Sequence, residues 1–425
     1  MWRAILGFKT PMHSRNLIQY VELILVIGIL AFSYLPNLND VEFHPDESQW
    51  IGTSDAFESY LRMEFDSPVW APSYWTLTQP PVTRYVIGIS RYIGGYQRPE
   101  LNRPWDFSRG RNFNERRGAI PSDGLLWWSR LPMAILGIAS ITILFIILRK
   151  SAGLLTSCIW LGLVVVNPYF TLHLRRAMGE ACLVFFSVLT MYISMCALQL
   201  INETNPAGKR TAFVWLALSG LAAGLAWASK LNGIAMIVLN VIVAIILGIK
   251  MNNSPKEKID YSLWYGLVTG IGSLFIFLAV NPFLWEAPIE RVSQMFENRT
   301  EEMSQQIVDY PGSYMDVEQR IRIIPTRVFE DYASMKIPGV FNFILTLLGI
   351  VVSIWAMFAK PNLSLNPGHV VLLITAFITT VPIWLSPLDW DRYYIFPSLF
   401  STIFIAMAAG WIINTVLRTS KKSWQ

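Results

Sequence analysis

The sequence predicts an all-α integral membrane bundle of about ten transmembrane helices, because apolar segments of roughly 17 to 25 residues recur from Leu17 to Leu417, the length a helix needs to cross hydrocarbon. Composition agrees. Of all residues 53% are hydrophobic and 15% charged, and the longest stretches between apolar segments, 37–124 and 286–337, leave no room for a large soluble domain. The whole chain, 1–425, is therefore read as one membrane domain. Charge placement is the third observation, and it orders the segments across the bilayer.

Candidate crossings are 17–36, 125–148, 152–173, 178–201, 211–229, 231–249, 261–285, 338–359, 369–386 and 392–417. An even number of crossings puts both termini on one side. With the amino terminus inside, the cytoplasmic connections hold Arg3, Lys9 and Arg15, then Arg149 and Lys150, Lys209 and Arg210, Lys250, Lys256 and Lys258, Lys360, and lastly Arg418, Lys421 and Lys422. Each inside connection is basic, as membrane insertion favours. The two long loops then lie together on the extracytoplasmic side. The first segment follows basic residues as a signal peptide would, but it is long and no small-residue cleavage pattern follows, so it reads as a retained span. The net charge of +5 is thus a signal of topology rather than of nucleic-acid binding. Cys158, Cys182 and Cys196 lie in apolar segments without ligand-like spacing, which speaks against disulfides and a zinc site.

Within the first long loop, an amphipathic stretch starts at Asp46, a good N-cap residue, and sets Trp50, Phe57 and Leu61 near one face. A second follows Pro80-Pro81, with Val82, Tyr85, Val86, Ile89 and Ile93 at helical spacing. Both fit helices lying along the membrane surface. Residues 98–117 are polar, arginine-rich and aperiodic, and read as loop. In the second long loop Ile289, Val292, Phe296, Met303 and Ile307 predict a surface helix, which Tyr310-Pro311-Gly312 ends.

The segment His44-Pro45-Asp46-Glu47 puts two carboxylates close beyond the first crossing. In the plainer reading they are a cap and a solvated charge. Near a membrane face, however, a carboxylate in the first turn of a helix is held ionised by the helix dipole and can take a proton from an attacking hydroxyl or amine. Arg130, Arg175, Arg176, Glu180, Lys230 and Arg392 stand at crossing ends on the same side. Snorkelling to headgroups explains any one of them. So many converging charges also suit a lipid-linked phosphate, which needs cations at the headgroup boundary and a carboxylate opposite. Trp70, Trp75, Trp127 and Trp128 offer faces for sugar or isoprenoid groups, although tryptophan gathers at membrane interfaces in any case. A divalent metal beside His44 is left open: His13, His173 and His369 are separately placed and give no second ligand of convincing position.

These motifs resemble those of the GT-C class of membrane glycosyltransferases, in particular the protein O-mannosyltransferase and lipid A aminoarabinose transferase group (glycosyltransferase family 39-like). Phe43-His44-Pro45-Asp46-Glu47 looks like that group's first-loop acidic motif. Gln79-Pro80-Pro81-Val82 is similar to its Pro-Pro-Leu segment, with glutamine where His or Lys is common. Ser129-Arg130-Leu131-Pro132 resembles its Arg-Leu-Pro start of the second crossing, Ser229-Lys230-Leu231-Asn232-Gly233 its Lys-x-x-Gly segment, and Arg392-Tyr393-Tyr394-Ile395-Phe396-Pro397 its Arg-Tyr-x-x-x-Pro start of the last crossing. Arg176-Ala177-Met178-Gly179-Glu180 departs from the pattern by carrying Glu180 where the group usually has Asp. The chain lacks the large soluble insert of eukaryotic members and a periplasmic carboxyl-terminal domain, and looks like a minimal prokaryotic member.

The resemblance implies a GT-C bundle that moves a sugar, with inversion, from a polyprenyl-phosphate donor to a protein, lipid or glycan acceptor on the extracytoplasmic side. Asp46 would be the base and Glu47 would orient the acceptor. Arg130, the first choice, or Lys230 or Arg392 would hold the donor phosphate, with His44, Glu180 and Arg176 in support. The rival is a transporter or lipid flippase without covalent chemistry, for which charge inside the crossings is expected. Here the apolar interiors carry almost none. A non-catalytic relative acting in assembly is a third reading, and the intact Asp46 and Arg130 count against it.

Overall fold

A computed structural model describes residues 14–358 and 365–422. Arg3, Lys9, His13 and Lys360 lie outside these residues, as do the side chains of Arg15, Arg418, Lys421 and Lys422. Among the described residues the regular structure is helical, and nine helices are long and apolar enough to cross a membrane. They are Leu17–Tyr34, Asp123–Ser151, Gly179–Leu198, Pro206–Ser229, Leu231–Lys250, Pro255–Ala279, Gly339–Phe358, Pro367–Leu385 and Asp391–Leu417.

The predicted crossing 152–173 is not one continuous helix. It divides into Leu154–Val165 and Pro168–His173, because Pro168 has no N–H to continue the ladder and restricts the residue before it. Asn167 bridges the break: its side chain accepts from the Tyr169 N–H at 2.9 Å and donates to the Tyr332 carbonyl and Ser334 hydroxyl at 3.0 and 2.9 Å. The two pieces still run the length of the bundle, since Leu154 follows the end of Asp123–Ser151 while His173 lies beside Asp391 at the far end.

The last helix is central, with 78% of its most apolar stretch buried, whereas the first is peripheral, at 17%. Leu17, Ile24, Leu25 and Phe32 of that first helix are exposed, which is what a lipid-facing surface presents. Without a hydrophobic drive between helices in lipid, close backbone approach and polar contacts take its place. Gly220 shows the first: an added Cβ would meet the Thr269 carbonyl oxygen at 2.7 Å, and the Ser273 hydroxyl donates to the Gly220 carbonyl at 2.9 Å. Asn240 shows the second, accepting from Ser194 and Ser219 at 2.9 and 2.7 Å and so tying three helices together.

Both long loops sit at one end of the bundle. The Tyr74 hydroxyl donates to Glu302 at 2.9 Å, and Tyr60 and Tyr85 reach the carbonyls of Ala279 and Val280. At the opposite end Arg149 pairs with Glu22 at 3.1 Å. The predicted helix from Asp46 through Leu61 is two helices, Pro45–Gly52 and Ala56–Leu61, and its cap is His44 rather than Asp46. His44 Nδ1 accepts from the Asp46 N–H while Glu47 reaches back to the His44 N–H, a reciprocal capping box. The helices Val82–Ile93 and Pro288–Asp309 form where periodicity predicts them. The segment read as loop over 98–117 contains the short helix Arg111–Arg117, which Gly118 ends at φ +77°, a left-handed conformation suited to glycine.

Candidate functional site

The expected site residues gather at the long-loop end, but in three separate arrangements. The first is closed. Glu47 accepts from Arg130 Nε and Nη2 at 2.8 and 2.7 Å, from the Ala177 N–H at 2.9 Å and from the His44 N–H at 3.0 Å. Arg130 Nη1 donates to the carbonyls of Leu38 and Val41 at 2.7 and 2.8 Å. Neither side chain has exposed surface. A guanidinium so saturated has little left for a phosphate, and a carboxylate with four donors has little left for an acceptor. The geometry therefore speaks against Arg130 as the phosphate ligand and Glu47 as the acceptor guide, and makes them a clamp among the first crossing's exit, the surface helix and the start of the fourth crossing.

The second arrangement is open. Asp46, one residue earlier on the same helix, points away from the clamp and pairs with Arg392, each side chain being 20% exposed. Arg392 also lies 6.0 Å from the Trp390 ring and within electrostatic reach of Glu180 and Asp391. The third is the pair of Lys230 and Glu180, 2.5 Å apart, with Lys230 24% exposed and Glu180 buried. The glutamate at 180 thus holds the lysine at the mouth of the bundle. His44 stands 3.9 Å from Asp46. Arg176 is set aside: it is buried against the carbonyl and carboxylate of Glu42 at 3.1 and 3.4 Å.

Several residues at this end escaped the sequence reading. Asp391 contacts His173 at 3.5 Å, and its signal was adjacency to Arg392. Arg299, on the helix Pro288–Asp309, donates to Glu302 at 2.6 Å and to the Tyr393 hydroxyl at 2.7 Å, so the second loop reaches the residue beside Arg392. In sequence that helix reads only as a surface helix, from its apolar residues. Among the described residues no three His, Cys, Asp or Glu side chains converge as a ligand set for a divalent metal.

The bundle, with paired charges at one end under two helical loops, has the fold of the GT-C class of membrane proteins. The chain belongs to the dolichyl-phosphate-mannose-protein mannosyltransferase family, whose model matches residues 64–294, just over half of its length. Asp46 and Glu47 precede the matched residues and Arg392 follows them. ArnT from Cupriavidus metallidurans bound to undecaprenyl phosphate is similar with a TM-score of 0.52 at 16% identity, over 91% of this chain and 59% of that one. The archaeal oligosaccharyltransferase AglB from Archaeoglobus fulgidus, in complex with an inhibitory peptide and a dolichol-phosphate, is similar with a TM-score of 0.52 at 13% identity, over 96% of this chain and 52% of that one. At these identities the likeness is one of fold, and the chain spans less than two thirds of either protein. No curated protein sequence matches it.

Proposed function

We propose that the chain is an inverting glycosyltransferase of a prokaryotic plasma membrane, taking a sugar from a polyprenyl-phosphate carrier and passing it to an acceptor on the extracytoplasmic side. The observation that carries this reading is the Asp46–Arg392 pair, a carboxylate suited to the acceptor's proton in contact with a guanidinium suited to the donor's phosphate, both reachable from outside the bundle.

A phosphate arriving beside Arg392 competes for a planar fork of donors that matches two of its oxygens. Its arrival releases Asp46. The acceptor's O–H or N–H proton passes to the Asp46 carboxylate as the nucleophile attacks the anomeric carbon. The bond from that carbon to the phosphate oxygen breaks, and its electron pair leaves with the carrier. A phosphodiester of one negative charge becomes a monoester of up to two, so cations at Arg392 and Lys230 act most strongly where charge develops. Glu180 keeps Lys230 in place, and the Glu47–Arg130 clamp fixes the helix that presents Asp46.

Mass spectrometry after incubating the purified protein with a panel of polyprenyl-phosphate sugars and peptide, lipid and glycan acceptors tests the proposal. One donor is expected to give a glycosyl adduct together with free polyprenyl phosphate. Absence of both from every donor would sink it.

A further inference from the structure

We infer that a groove in the first long loop binds a carbohydrate bearing a carboxylate or phosphate, and that this is the acceptor class. The second half of the inference rests on the transferase reading.

The groove begins one helical turn beyond Asp46. An open depression of about 440 Å³ is bordered by Gln49, Tyr74, Trp75, Trp105, Phe107 and the Asp106–Arg117 pair. A second, of about 650 Å³, adjoins it through Arg117 and is bordered also by Arg103, Phe113 and Arg116. The deepest polar group is Gln49, only 3% exposed. Its Nε2 donates to the Trp105 carbonyl at 2.6 Å, which sets the amide, while Oε1 has no hydrogen-bond partner among the described residues. A buried acceptor without a donor is costly, so this atom calls for a ligand hydroxyl or N–H. Around it the rings of Tyr74 and Phe107 are 45% and 48% exposed, which gives flat apolar faces beside a hydroxyl-seeking oxygen. That combination fits a sugar ring.

The neighbouring cavity adds charge. Arg117 is offset by Asp106 at 3.4 Å, but Arg103 and Arg116 form no ion pair among the described residues. Forked guanidinium donors at one edge of a sugar site select a carboxylate or phosphate on the ligand.

The loop that displays them is braced. Asn114, fully buried, accepts from the Asp106 N–H at 2.8 Å and donates to the Asp106 carbonyl at 2.9 Å. The Arg103 N–H closes the loop onto the Gly118 carbonyl at 2.9 Å, and the Ser48 hydroxyl fastens it to the Asp46 helix through the Ala119 carbonyl at 2.7 Å. A site held this way loses little ordering entropy on binding. Anionic lipid headgroups would be drawn to the arginines too, but they make no use of Gln49 or the exposed rings.

The test is calorimetric titration of the full chain in phosphatidylcholine nanodiscs with tetragalacturonate and with maltotetraose. The acidic tetrasaccharide is expected to bind at least about tenfold more tightly, a difference of about 1.4 kcal/mol. Arg103→Gln combined with Arg116→Gln, both exposed positions, should abolish that preference with the melting temperature unchanged. Phe107→Ala should weaken both sugars. Equal binding of the two sugars, a preference that survives the double substitution, or its loss when phosphatidylglycerol is added to the nanodiscs would each overturn the inference, the last by making the arginines a headgroup site. Binding is read without turnover, so an acid preference without transfer to the acidic sugar, from a donor whose sugar passes to another acceptor, would overturn the acceptor role alone, and transfer without an acid preference would overturn the groove alone.

Discussion

Arg130 closes on Glu47 through two parallel hydrogen bonds, 2.8 Å from Nε to Oε1 and 2.7 Å from Nη2 to Oε2, with neither side chain exposed. Asp46, the preceding residue, faces the other way and meets Arg392. Successive helix residues point about 100° apart, so adjacent carboxylates serve different surroundings. One is enclosed, the other partly exposed and paired with Arg392.

Arg130→Ala is accordingly expected to destabilise the protein, since removing one partner of a buried pair leaves an uncompensated charge and costs about 3–5 kcal/mol. Thermal unfolding in detergent measures it. A folded Arg130→Ala variant of unchanged melting temperature that loses only donor binding would return Arg130 to the phosphate site.

Asp46→Asn removes the basic carboxylate and keeps the side chain's shape. Turnover is expected to fall about a hundredfold or more, the scale of a general-base contribution. Donor affinity should hold or rise within a few fold, because Arg392 loses its competitor. If Asp46→Asn turns over normally while a folded Glu47→Gln variant does not, the roles of the pair are reversed.

Arg392→Ala should raise the donor KM and lower kcat together, and Arg392→Lys should restore part of the loss by returning charge without the fork. Lys230→Ala should act in the same direction, with the buried Glu180 left unpaired and some stability lost as well. Initial rates across donor concentrations separate these effects. Wild-type donor kinetics in both variants would exclude this end of the bundle as the phosphate site.

A topological prediction follows from the contact of Tyr74 with Glu302. Cysteines introduced at Ser108 and Ser313 should both react with an impermeant thiol reagent from the extracytoplasmic side of intact cells. Reaction from opposite sides would contradict the packing of the two loops on each other.

The crossings and the amphipathic helices after Pro81 and Pro288 were legible in sequence because each is a local periodic signal. The reading of 152–173 as one crossing passed over the break at Pro168, and its repair was not legible, because the groups that bridge Asn167 come from the loop at Tyr332 and Ser334. Arg111–Arg117 was missed since a helix so short shows no periodicity, and what holds it is the buried Asn114.

By itself the sequence determined that the chain is an all-α membrane bundle with acids and cations at the ends of its crossings, for hydrocarbon admits only long apolar helices and charge must collect at their ends. Which cation meets which acid was decided by the tertiary structure alone. Arg130, Lys230 and Arg392 are all cations at helix ends, and only the packing of distant segments buries Arg130 on Glu47, sets Lys230 on Glu180 and leaves Arg392 partly exposed with Asp46, because burial and pairing depend on chain separations that no local pattern encodes.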